Sequence, residues 1–301
     1  MGTGVGGETP PPPAAPPAPY GAFGDAPPWA TAAAPAPQRP GRRFGAGAAA
    51  GLCLVLGVGL LGGAAAGRLL GGDPAAASSA RDTAARAYAD ARTVWHSVPV
   101  DTLFPPVVTG RAAGPGGADR SWTRVGVAPD SDCAGAFDPA LARALAPLGC
   151  ARLLRATYAD STSSDVTTVG VVVTTADAAS CAALRDHWNT QRLGSRRELM
   201  PRPVAFPGTL SAGFGPAQRA SWTVRISGTL PFVVYAVSGF ADARPVTDPQ
   251  PAAAATAERA TSVAAQAGLG HDAQGLADAV SRTFGDAVQA AADRSTLGAR
   301  R

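Results

Sequence analysis

The stretch Ala151-Arg-Leu-Leu-Arg-Ala-Thr-Tyr-Ala-Asp160-Ser-Thr-Ser-Ser-Asp165-Val-Thr-Thr-Val-Gly170-Val-Val-Val-Thr-Thr175 decides the fold. Ala151 to Ala159 and Val166 to Thr175 are rich in apolar and β-branched residues, and a polar loop, Asp160 to Asp165, separates them. That is the pattern of two strands joined by a turn, with Val169, Val171 and Val173 sharing one side. Upstream, Trp122-Thr-Arg-Val-Gly-Val127 alternates like a half-buried strand, and Asp138-Pro139 opens a short helix with Leu141, Leu145 and Leu148 on one face. Downstream, Ala176-Asp177 starts a second helix whose inner face carries Cys181, Leu184 and Trp188. Trp222, Val224 and Ile226 alternate with polar neighbours, and Phe232 to Phe240 forms a last strand after a Ser-Gly turn.

The order strand, helix, strand, strand, helix, strand, plus one extra strand, predicts an α+β domain of the ferredoxin-like split βαβ type over residues 121–244. Helices on one sheet face would explain strands that alternate. The first and fourth strands neighbour each other in that fold, so Trp122 and Trp222, each in a Ser-Trp-Thr triplet, are expected to lie close together.

Around this domain the composition changes. Residues 1–43 hold runs such as Pro10-Pro11-Pro12-Pro13, cannot bury enough apolar surface to offset ordering, and predict a disordered cytoplasmic tail. From Phe44 to Gly67 no residue is charged, and about 20 residues suffice to cross a bilayer, so 44–70 reads as a transmembrane helix. Arg39, Arg42 and Arg43 precede it, which places the N-terminus in the cytoplasm and the rest outside. A signal peptide ending at Ala64-Ala65-Ala66 is the competing reading, at odds with so long a proline-rich leader. The small residues of the segment suit a homodimer packed through this helix. A stalk helix over 71–97 follows, with Ala84, Tyr88, Ala91 and Trp95 at helical spacing, then a linker over 98–120 rich in Pro and Gly. Beyond Arg244, Leu276, Val280, Phe284 and Val288 recur every fourth residue and predict a C-terminal helix within an Ala-rich segment, 245–301.

The chemistry is restricted by what is missing. All 26 basic residues are arginine, so a chain without lysine forms no Schiff base, Ser-Lys dyad or Walker A site. The basic residues are interspersed with acidic ones and form no long run, which disfavours nucleic acid as a partner. His96, His187 and His271 lie in separate segments, and no cofactor or metal is expected. Asp130-Ser-Asp132 begins like a calcium loop, but Ala134 and Leu141 stand where ligands belong. With glutamates only at Glu8, Glu198 and Glu258, paired-carboxylate chemistry would need aspartates, and Asp160, Asp165 and Asp186 read as solvated loop and helix ends. No catalytic residue is predicted. An oxidising compartment permits disulfides, and Cys133 and Cys150, which bracket the first helix, are the expected pair. Cys181 then behaves as a small hydrophobe.

The segments Gly114-Pro-Gly-Gly-Ala-Asp-Arg120-Ser-Trp-Thr-Arg-Val-Gly-Val-Ala-Pro, Asp132-Cys-Ala-Gly-Ala-Phe-Asp138, Cys150-Ala-Arg-Leu-Leu-Arg-Ala-Thr-Tyr158, Leu199-Met-Pro-Arg-Pro203 and Val233-Val-Tyr-Ala-Val-Ser-Gly-Phe-Ala-Asp242 resemble actinobacterial, streptomycete-type single-pass membrane proteins of unknown function. The likeness covers residues 95 to 250 and implies no catalytic residues. The expected function is a membrane-anchored extracytoplasmic protein-interaction or assembly module without catalytic activity, with a protein partner. The alternative is an extracytoplasmic sensor domain that binds a small ligand or cell-envelope fragment on the sheet or near the Pro-rich loop 199–208.

Overall fold

The computed structural model describes residues 1–2 and 74–299. The tail beyond Gly2 and the apolar segment 44–70 lie outside the described residues, and among these residues no helix is long and apolar enough to cross a membrane. The described chain is a mixed α+β protein built on a seven-stranded sheet.

In chain order the principal elements are α1 (Pro74–Ala91), β1 (Val107–Gly110), β2 (Arg120–Val127), α2 (Pro139–Leu145), β3 (Arg152–Asp160), β4 (Asp165–Val173), α3 (Ala178–Thr190), β5 (Ser221–Ile226), β6 (Phe232–Phe240), β7 (Gln250–Pro251) and α4 (Leu269–Ala299). The sheet order is β1-β2-β3-β4-β6-β5-β7. All neighbours are antiparallel except β5 and the two-residue β7.

This order departs from the split βαβ expectation, in which the first strand would sit between the third and fourth. Here β2 pairs with β3 directly. The reason lies in the excursion between them, which is closed at its base. Cys133 and Cys150 form a disulfide, and Ser131 bridges to Leu153, so the chain re-enters the sheet beside β2 instead of crossing over a strand. The connection through α3 carries the chain from β4 to β5, β6 folds back to fill the gap between them, and the chain leaving β6 passes β5 to add β7 at the edge.

Helices cover both faces of the sheet, not one. On the first face Leu276, Val280 and Phe284 of α4 pack against Val169 and Val171 of β4 and Phe232, Val234 and Ala236 of β6. On the second, Leu141 and Leu145 of α2, with Leu148, join Cys181 and Trp188 of α3 over Leu153, Val172, Val224, Ile226 and Val233. The segment from Met200 to Phe214 extends this cover over Val166, Trp222 and Val237. Every residue of β4 and β6 is therefore buried, which a sheet solvated on one side does not allow. Gly170 has a steric role here. It pairs with Tyr235, whose ring lies across it, and a Cβ at Gly170 would come within 2.2 Å of that ring.

The segment expected to be a linker contributes structure. Val107–Gly110 is an edge strand, and Leu103 and Phe104 are buried in the core of the first face. The stalk helix also docks. Tyr88 and Ala91 of α1 are buried, as is Val94 in the short turn after it. Arg92 donates to the carbonyl oxygens of Thr174, at 2.9 Å, and Ala176, tying the end of α1 to the chain leaving β4. The C-terminal segment, whose packing the sequence leaves open, supplies the main helix of the first face, α4.

Candidate functional site

Trp122 and Trp222 are both 1% exposed, so neither lines an open groove. They face opposite sides of the sheet, with β3, β4 and β6 between their strands. Trp222 donates its Nε1 proton to the Gly194 carbonyl at 3.1 Å. Trp122 instead meets a charge, and this marks the first of two polar constellations.

Arg120 and Trp122 are alternate residues of β2 and so project from the same face. The indole of Trp122 fits between Gly110 and Gly275, where a Cβ would approach it within 2.8 and 2.5 Å. That close approach brings the first turn of α4 onto β2. Asp272, with 0% exposure, accepts from Trp122 Nε1 at 2.8 Å and from Arg120 Nε and Nη2 at 3.0 and 2.5 Å, all on Oδ1. Its Oδ2 is buried without a hydrogen-bond partner. Burial raises the Asp272 carboxyl above its ordinary range, against the pull of Arg120 and Trp122.

Asp160 and Asp165, read from sequence as solvated ends, are 6% and 4% exposed. They flank the turn between β3 and β4 and do different work. Asp160 accepts from the backbone N–H groups of Thr162, Ser164 and Asp165 at 3.0, 2.8 and 2.8 Å, and from the Thr162 hydroxyl. These bonds outweigh its burial and hold its carboxyl below the usual range. Among the described residues the Asp165 carboxylate accepts no hydrogen bond, and its ion-pair partner is Arg120 Nη2 at 3.9 Å, already engaged by Asp272. Burial, reinforced by the neighbouring Asp272 and Asp160, pushes Asp165 up to about 7. One guanidinium thus serves three carboxylates. Asp165 opens onto a cleft of about 300 Å³ that it lines with Ser163, Ser164, Phe240, Asp242 and Arg244.

The second constellation is built on Asp138. Its backbone is extended, as an N-cap requires, but its side chain caps nothing in α2. The carboxylate accepts from Arg202 Nε and Arg219 Nη1, each at 2.7 Å. Burial opposes ionisation there, and the two guanidiniums overcome it and lower the Asp138 carboxyl. Arg219 also donates to Pro216 at 3.0 Å, so the pair is fixed from both sides. Asp138 and Arg219 wall a cleft of about 420 Å³ together with Arg197, Glu198, Met200 and Val246, beside the Pro-rich loop 199–208.

Other expected residues lie apart from both clefts. Cys181 is buried, with Sγ 3.6 Å from Thr174 Oγ1. His187 and Asp186 are exposed on α3, His96 is exposed beside Trp95, and His271 Nδ1 lies 3.1 Å from the Ala113 carbonyl. Among the described residues no group of three or more His, Cys, Asp or Glu could hold a metal ion. Arg120 and Asp272 escaped sequence reasoning because 152 positions separate them, and the only local signal was a glycine, Gly275, inside an otherwise good helical pattern. No family model, curated protein or solved structure matches the chain.

Proposed function

We propose that this chain is a single-pass membrane protein, N-terminus in the cytoplasm, whose α+β domain works outside the membrane as a non-catalytic sensor domain for a small polar ligand or cell-envelope fragment. Three features support the location: the uncharged segment from Phe44 to Gly67, the arginines before it, and the Cys133–Cys150 disulfide, a bond suited to an oxidising compartment.

The observation that carries the binding reading is the cleft beside Asp138. Its volume of about 420 Å³ falls within the range of small-molecule sites, and charged groups of both signs, Arg197, Glu198, Arg219 and Asp138, converge on an apolar floor that includes Met200 and Val246. Asp138 and the two arginines bonded to it hold this wall in place before any ligand arrives, which lowers the ordering cost of binding.

A protein-interaction or assembly module is the second reading. It draws on a groove of about 640 Å³ between residues 97–102 and the C-terminal half of α4, lined by Val98, Pro99, Ala287 and Ala291. Large exposed hydrophobic residues elsewhere, Val107, Leu210 and Val263, are scattered along the chain. Sensing therefore stands first.

Thermal unfolding of the full-length protein in mild detergent, scanned against sugars, short peptides and muropeptide-like fragments, tests the choice. A ligand that raises the midpoint, with the rise lost in Arg197→Ala, is the expected result. No shift with any fragment, together with a stoichiometric protein co-eluting from the membrane extract, would replace sensing with the interaction module.

A further inference from the structure

The cleft over Asp165 is separate from the one beside Asp138 and has its own chemistry. Its floor is a carboxylate that is 4% exposed, accepts no hydrogen bond among the described residues, and has its nearest ion-pair partner, Arg120 Nη2, as far away as 3.9 Å, so its desolvation is only partly offset. At its mouth Arg244 is held by Asp242, through N–H bonds from its backbone at 3.0 Å and its guanidinium at 2.6 Å, and by stacking over the Phe240 ring. The Ser163 and Ser164 segment forms another side, and Phe240 and Ala267 supply apolar wall. A negative group at the floor and a positive one at the rim thus face a single volume of about 300 Å³.

We propose that this cleft binds a small zwitterion of the α-amino-acid type, its ammonium group seated on the Asp165 carboxylate and its carboxylate met by Arg244. An ammonium donates up to three hydrogen bonds and offers Asp165 a counter-charge in direct hydrogen-bond contact, whereas Arg120 bonds to Asp272 and stays 3.9 Å from Asp165. A simple anion would meet Asp165 and Asp242. Ca²⁺ or Mg²⁺ needs six or more ligands and would lie close to Arg244 and Arg120. The zwitterion satisfies both ends of the cleft at once.

The groups that face Asp165 are Arg120 from β2, Asp160 from β3, Asp272 from α4 and Arg244 beyond β6. Because Asp165 titrates at about 7, it must release its proton to receive the ammonium, so affinity falls as the pH drops from 8 to 6.

Isothermal titration of the full-length protein in detergent at pH 8, with alanine, ethylamine and propionate as probes, is the test. Alanine is expected to bind more tightly than ethylamine, and propionate not at all. Asp165→Asn, which keeps the side-chain shape and removes the buried charge, should weaken alanine at least about tenfold. Arg244→Gln, at an exposed position that leaves the core untouched, should weaken alanine and leave ethylamine unchanged. The proposal is overturned if alanine gives no binding to the wild type, if Asp165→Asn binds it equally well, or if propionate binds as tightly as alanine.

Discussion

The two charge clusters have opposite stoichiometry. Around Asp138 two guanidiniums hold one carboxylate, and around Arg120 one guanidinium is divided among three. In the first cluster the arginines overcome burial and the acid is driven down, while in the second the cation is used up by Asp272 and burial drives Asp165 up. Desolvation acts in the same direction at both places; it outweighs the donors at the deeply buried Asp272 and Asp165 and yields to two guanidiniums at the half-buried Asp138. The Asp138 cluster is therefore a structural clamp. The Arg120 cluster keeps one acid in reserve, poised near neutral pH.

Removing the central acceptor should break the second cluster most severely. Asp272→Ala leaves the buried Trp122 N–H without its acceptor and takes from Arg120 its bonded carboxylate, and a loss of about 3–5 kcal/mol in unfolding free energy is expected from denaturant titration. The reserve acid gives a signature with a defined sign. Asp165 titrates at about 7 in the folded chain against an ordinary value of 3.8, so the folded state binds the extra proton between these limits and the wild type loses stability as pH rises through them. Asp165→Asn removes that loss. Its unfolding midpoint should exceed the wild type's at pH 8 and approach it at pH 4, a difference worth up to about 4 kcal/mol. A constant offset across this range would show that Asp165 does not titrate near neutrality.

On the clamp side the effects are smaller. Replacing Cys133 and Cys150 by alanine opens the loop that α2 occupies and should cost about 3 kcal/mol. Arg219→Ala takes a largely buried donor from Asp138 and should cost about 1.5–3 kcal/mol, whereas Arg202→Ala, more exposed, should cost under about 1 kcal/mol. Equal losses for the two arginines would mean that burial does not separate their contributions.

Elements with a strong period were legible in the sequence. Phe232–Phe240 matches its expected bounds, β3, β4 and β5 fall within a residue or two of theirs, and the four-residue spacing of Leu276, Val280 and Phe284 marks α4. The pairing of β3 with β4 and of β5 with β6 was legible from the short turns that join them, but the place of β2 was not, because alternation fixes which face a side chain takes and says nothing of a strand that is distant in sequence. β1 was hidden for another reason. Four residues between Pro105-Pro106 and a glycine-rich turn carry too little pattern to distinguish a strand from a linker. The disulfide spacing was readable as a local closure, yet its consequence for topology, that the chain returns beside β2 as β3, needed the bridge from Ser131 to Leu153. The acid cluster was invisible for the plainest reason: its members come from four elements spread between β2 and α4.

The sheet ends in two very short strands, β1 with four residues and β7 with two, the second of them Pro251. A long open edge would offer a row of free N–H and C=O groups to an identical chain, and proline contributes no N–H to such a row. At high local density the template that β1 and β7 offer to another copy of this domain is therefore short, four residues on one side and two on the other.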